Sequence, residues 1–182
     1  LSPDGATVVF AARIKGRSEA WSTNFDLYRV PATGGAPVNL TAANPAWDAH
    51  PQFSPDGRTL AYVAMERPGF EADRFHLVLR DVATGAVRFT TLDWDRSIDA
   101  FEWSADGKRI FATTDHLGQH PLWSIDIGSG QRRQLTQAGT VTAFSAGRDR
   151  IVYAQQDLAS PPDLWQLPLG KGTPRQAVET NR

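Results

Sequence analysis

The segment Glu66 to Phe75 holds the densest set of groups that could do chemistry: Glu71, Asp73 and Arg74, flanked by Phe70 and Phe75. In Glu71-Ala72-Asp73 the two carboxylates alternate, so on an extended backbone both would point to the same side. The plainer expectation is that Asp73 and Arg74 pair locally and hold the loop. Other connecting segments add Trp21, Trp47, Trp94, Asp48, Asp93, Asp95, Arg96 and Asp99, an aromatic and acidic collection. Taken singly, loop aspartates mostly cap turns and tryptophans mostly pack.

Bond-breaking machinery is not visible. A serine hydrolase needs its nucleophile on a strained Gly-x-Ser-x-Gly elbow with a histidine base held by a carboxylate. The nearest string, Gly16-Arg17-Ser18-Glu19-Ala20, lacks the second glycine. No residue is therefore assigned as catalytic. There is no Gly-rich phosphate loop or dinucleotide fingerprint, so no cofactor is expected. The four histidines include a His116-x-x-x-His120 spacing, but Leu117-Gly118-Gln119 and Pro121 break the helix that would align the two rings, which leaves loop histidines rather than a metal site. Asp4, Asp56 and Asp106 read as turn residues of separate repeats, not as joint metal ligands.

The elements that must position these residues come from an internal repeat. Ser2-Pro3-Asp4-Gly5, Ser54-Pro55-Asp56-Gly57, Ser104-Ala105-Asp106-Gly107 and a degenerate Ser145-Ala146-Gly147-Arg148 begin 52, 50 and 41 positions apart, the range of one four-stranded propeller blade. In this unit proline presets φ, aspartate bonds its own backbone and glycine takes the left-handed position of a tight hairpin. Each copy is followed by a β-rich run, such as Thr59-Leu60-Ala61-Tyr62-Val63, then by a second strand, such as Leu77-Val78-Leu79-Arg80. A glycine-bearing turn leads to a third strand ending in Leu40-Thr41, Thr90-Thr91, Leu135-Thr136 or Ala177-Val178, and a short apolar strand precedes the next turn. No 3.6-residue period is sustained. The expectation is an all-β chain, a partial β-propeller of about four four-stranded blades over 1–41, 42–91, 92–136 and 137–182. Tight hairpins fall on one face, and the long connections, Glu66 to Phe75 among them, fall on the other, where rigid scaffolds carry binding groups. Leu1 stands where Phe53, Trp103 and Phe144 stand in the other repeats, so the chain reads as a piece of a longer propeller that would expose an unpaired strand and self-associate.

Composition agrees with a folded domain. The 182 residues are 41% hydrophobic, 21% charged and 10% aromatic, with a formal charge of −1. That balance supplies no basic field for nucleic acid, and no apolar run approaches the ~20 residues of a membrane span. The absence of cysteine removes disulfide frameworks and thiolate catalysis and leaves the compartment open.

The Ser-Pro-Asp-Gly blades, together with Trp21-Ser22-Thr23-Asn24-Phe25-Asp26-Leu27-Tyr28, Arg67-Pro68-Gly69-Phe70-Glu71-Ala72-Asp73-Arg74-Phe75 and Trp94-Asp95-Arg96-Ser97, resemble the propeller of prolyl-oligopeptidase-family serine peptidases of bacterial dipeptidyl- or acylaminoacyl-peptidase type. The stretch from Ser160-Pro161-Pro162-Asp163-Leu164-Trp165 to Glu179-Thr180-Asn181 resembles the last blade of that family, after which an α/β-hydrolase domain would follow. The resemblance implies a propeller segment that gates peptide substrates and helps to bind them, with Glu71 and Asp73 meeting a cationic peptide N-terminus and Arg74 beside them. It implies a peptide substrate and a hydrolase domain of the same parent as partners, no peptidase activity in this segment alone, and a lean toward the bacterial periplasm. The competing readings are a noncatalytic periplasmic propeller that binds a protein partner and, more remotely, a propeller-type sugar lyase or glycosidase.

Overall fold

The Ser-Pro-Asp-Gly turns build themselves from local chemistry. In the computed structural model, which describes residues 1–14, 16–170 and 172–178, the hydroxyls of Ser2, Ser54 and Ser104 each donate to the aspartate two positions on at 2.6 Å. The same hydroxyls accept the backbone N–H of Thr7, Thr59 and Arg109 at 2.9–3.0 Å. Gly5, Gly57 and Gly107 close the turns at φ 73, 72 and 68, a conformation that only glycine adopts at little cost. These bonds, the serine hydroxyl first, hold the Asp4, Asp56 and Asp106 carboxyls below their ordinary value. Each carboxylate is thus engaged in its own turn.

Every turn launches an antiparallel meander. The first sheet runs β1 (Thr7–Ala12), β2 (Asp26–Pro31), β3 (Val38–Asn39). The second is β4 (Asp48–Phe53), β5 (Thr59–Ala64), β6 (His76–Asp81), β7 (Val87–Phe89), and the third is β8 (Ala100–Trp103), β9 (Arg109–Thr113), β10 (Leu122–Asp126), β11 (Arg132–Gln134). The fourth is β12 (Thr140–Ala146), β13 (Arg150–Gln156), β14 (Asp163–Pro168), β15 (Arg175–Val178). The first sheet has three strands and the other three sheets have four, and β1 lies at an edge of the first. The stretch Glu179-Thr180-Asn181, and with it the expected close of the last repeat, lies outside the described residues, as do the side chains of Ser18 and Glu19. Gly16–Ala20 forms a short 3-10 turn between β1 and β2. Among the described residues no helix is long and apolar enough to cross a membrane.

The chain divides into two compact units, Leu1–Ser97 with the first two sheets and Ile98–Arg182 with the other two. In each, two sheets pack face to face. Leu27, Leu60, Tyr62, Ala64 and Val78 form the core of the first unit. In the second, Phe111, Leu122, Val141, Ile151, Tyr153 and Leu167 do so. A repeated latch just past the last strand of a blade fastens it to the strand before: the hydroxyls of Thr41, Thr91 and Thr136 accept the backbone N–H of Leu27, Leu77 and Leu122 at 2.9–3.0 Å. All three threonines are buried, so each satisfies an N–H that would otherwise be costly to leave unmade.

Candidate functional site

Asp73 is the hub of the Glu66 to Phe75 loop. Its carboxylate accepts the backbone N–H of Glu66 and Arg67 at 3.0 and 2.8 Å and takes the Arg67 guanidinium two-pronged at 2.9 and 2.8 Å. Burial pushes the Asp73 carboxyl up, but the Arg67 side chain and three backbone N–H groups outweigh it and hold the group at about 2. The expected pairing of Asp73 with Arg74 is replaced by pairing with Arg67, because a tight turn brings position 67 back over position 73. Phe70 N–H donates to Arg67 carbonyl and Asp73 N–H to Phe70 carbonyl. This turn also means that Glu71-Ala72-Asp73 is not extended, so alternation does not place the two carboxylates together.

Arg74 points elsewhere: its guanidinium donates to the Trp94 carbonyl at 2.9 Å. Glu71 is exposed and engaged by no described residue. Of the three candidates, then, Asp73 and Arg74 hold structure, and Glu71 is left to solvent.

Loops of the first unit meet on this face. Gly69 N–H donates to Thr23 Oγ1 and Phe75 N–H to Ser97 Oγ, both at 3.0 Å. An aromatic ladder runs beneath them. The Arg13 guanidinium lies 4.5 Å over Phe25; Phe25 stacks on Trp47 at 4.8 Å and Trp47 meets the edge of Phe75 at 5.7 Å. Arg67 covers Phe70 at 4.1 Å, and Phe70 and Trp21 remain exposed. Of the other loop acids, Asp95 ion-pairs with Arg96 at 2.7 Å and Asp99 lies 3.5 Å from His120 in the second unit. The His116 and Gln119 backbones bond to each other across Leu117 and Gly118, which at φ 50 and 75 form a turn, so the two rings of the His116-x-x-x-His120 spacing do not share a helix face.

Asp48, read as a loop residue, is the first residue of β4 and only 1% exposed. Burial pushes its carboxyl up to about 7 and the Asp26 charge adds to the push, against hydrogen bonds from Asn44 and Thr41. Asn44 donates to its Oδ1 at 2.9 Å, while among the described residues Oδ2 finds no partner. Sequence reasoning missed this group because a bulge at His50, which sits at φ 54, lets β4 begin earlier than the apolar pattern shows.

No protein-family model matches the chain. Along its whole length it is 32% identical to the dipeptidyl-peptidase 5 of Porphyromonas gingivalis and covers 27% of that protein. A puromycin hydrolase mutant solved in complex with PGG superposes on the entire chain with a TM-score of 0.74 at 20% identity, the chain covering 28% of it. The chain is similar to one stretch of dipeptidyl-peptidase 5, and its fold is that of a β-propeller. Its four sheets are blades, and TolB from Acinetobacter baumannii shares them, with a TM-score of 0.72 and 20% identity over 96% of this chain and 42% of that one. At those identities the solved structures establish the fold alone. The propeller segment spans about a quarter of the length of the curated relatives it matches.

Proposed function

We propose that this propeller segment gates and helps to bind peptide substrates for an α/β-hydrolase domain of the same parent protein. The observation that carries the reading is the match, along the whole of this chain, to a stretch amounting to 27% of dipeptidyl-peptidase 5. The loop face adds to it: Glu71 is presented to solvent on a loop pinned by Asp73 and Arg67, beside exposed Phe70. A peptide α-amino group is largely cationic near neutral pH, and a charged hydrogen bond to Glu71, once the bound peptide shields that carboxylate from water, is worth about 1.5–3 kcal/mol, or roughly tenfold to a hundredfold in specificity. Asp73 and Arg74 take part by holding that loop rather than by meeting substrate. The noncatalytic propeller reading draws only on the shared TolB fold, which says nothing about binding.

The test is made in the intact parent enzyme. Glu71→Gln should lower kcat/KM tenfold or more for substrates with a free N-terminus and leave N-blocked substrates unchanged. Asp73→Asn should instead lower the melting temperature and depress both substrate classes together. Equal losses on both classes for Glu71→Gln would remove that residue from substrate recognition.

A further inference from the structure

The core of the first unit does not fill its whole interface. Leu27 and Val78 are buried in it, but two positions further along the same strands stand Arg29 on β2 and Arg80 on β6, on the sides that face each other across the two sheets. There the packing opens into a groove of about 540 Å³ whose walls include Val9, Phe53 and Leu60. Both arginines line it. No carboxylate among the described residues lies within ion-pair distance of either guanidinium. Asp4 and Asp56 stand at the rim, each already accepting a serine hydroxyl and a backbone N–H in its own turn.

The second unit shows what the same interface looks like when it is closed. Counted from the turn serine, Arg29 pairs with the residue seven positions on, Val9, as Ser124 pairs with Phe111. Arg80 pairs with the residue six positions on, Leu60, as Leu167 pairs with Ile151. Ser124 and Leu167 are each 7% exposed, and Leu167 belongs to the core. Two sites that a small and an apolar side chain fill in one unit carry two guanidiniums in the other, around a groove with both apolar and polar walls.

We propose that this groove binds a small amphiphilic anion: a flat or chain-like apolar body lying against Val9, Phe53 and Leu60, with a carboxylate, sulfonate or phosphate head between Arg29 and Arg80. The guanidinium is suited to the task, since its planar fork of donors matches oxyanion geometry and is weakly hydrated. An apolar wall facing convergent polar groups is a usual feature of a small-ligand site.

The experiment titrates this chain with anilinonaphthalene sulfonate, an anionic fluorophore, and with phenyl-naphthylamine, which has the same apolar body and no charge. Saturable binding of the sulfonate is expected, with amide shifts centred on Val9, Phe53, Leu60 and Thr84. The Arg29→Gln, Arg80→Gln double variant should weaken the sulfonate tenfold or more and the neutral probe less than threefold. Arg133→Gln, on an exposed strand of the second unit, serves as the control and should change neither. Arg80→Lys, which keeps the charge but not the fork, should fall between, and it carries the test if the double variant does not keep the parent melting temperature. Equal affinity for both probes, an equal loss with Arg133→Gln, or shifts centred elsewhere would overturn the proposal.

Discussion

The two blade pairs are built from the same repeat and diverge in what they bury. The first unit encloses a carboxylate, Asp48, and leaves two arginines around an open groove. The second places Ile98, at 1% exposure, six positions before its turn serine, as Asp48 is placed in the first, and closes its interface with Leu167. Turn and latch are common to both, so the scaffold does not depend on the interface being filled. The lesson is that the polar bonds of the turn set the repeat, while the residues along the facing strands are free to serve packing in one pair and recognition in the other.

The largest effect that could break this contrast is in the second core. Leu167→Ala should cost about 2–5 kcal/mol, the ordinary price of a cavity at a buried leucine, and lower the melting transition by roughly 5–15 °C. Arg29→Ser should stay within about 0.5 kcal/mol. Comparable losses in the two variants, read by thermal unfolding, would erase the distinction between a packed and an open interface.

A second measurement sharpens it through pH. Because folding raises the Asp48 carboxyl to about 7 from an ordinary 3.8, the folded chain binds more protons than the unfolded one between those values. Its contribution is complete below about pH 4 and is lost as pH rises toward and through 7. Asp48→Asn keeps an acceptor for Asn44 and cannot ionise, so it should be more stable than the parent at pH 8 by about 1–4 kcal/mol and similar to it at pH 4. Denaturant midpoints at both pH values decide this; an unchanged difference across that range would show that Asp48 ionises freely in the fold.

The smallest effect concerns the sheet edges. The first sheet presents β1, the strand launched by its turn, as an edge, whereas in the other three sheets a further strand pairs with the equivalent one. An uncovered edge is a template for pairing with another chain. Light scattering at rising concentration is expected to show a species larger than the monomer, and Val8→Lys, placing a charge on that strand, to reduce it. A strictly monomeric chain at high concentration would count against the edge as an association site.

Much of the fold was legible because its signals are local. Serine, proline, aspartate and glycine announce a turn whose bonds close within a few residues, and the Thr41, Thr91 and Thr136 positions recur at strand ends where the latch forms. The site was legible only in part. Adjacency in sequence points Asp73 at Arg74, but it competes poorly with a turn that folds Arg67 back onto it. Asp48 looked like a loop acid because nothing in Ala46-Trp47-Asp48 announces that the strand starts there. Arg29 and Arg80 carried no signal at all; each is an ordinary polar residue on a strand until the neighbouring sheet packs against it.

The self-sufficiency of the Ser-Pro-Asp-Gly turn also bears on how such a protein can change over generations. Serine hydroxyl, aspartate carboxylate and glycine N–H find their partners inside the turn or at the start of its own strand. A blade copied or exchanged by gene duplication therefore arrives with these groups already paired and leaves no orphaned donor at the joint. Descendants can then vary the facing strands one residue at a time, as Ser124 and Leu167 differ from Arg29 and Arg80, without first reinventing the corner that joins them.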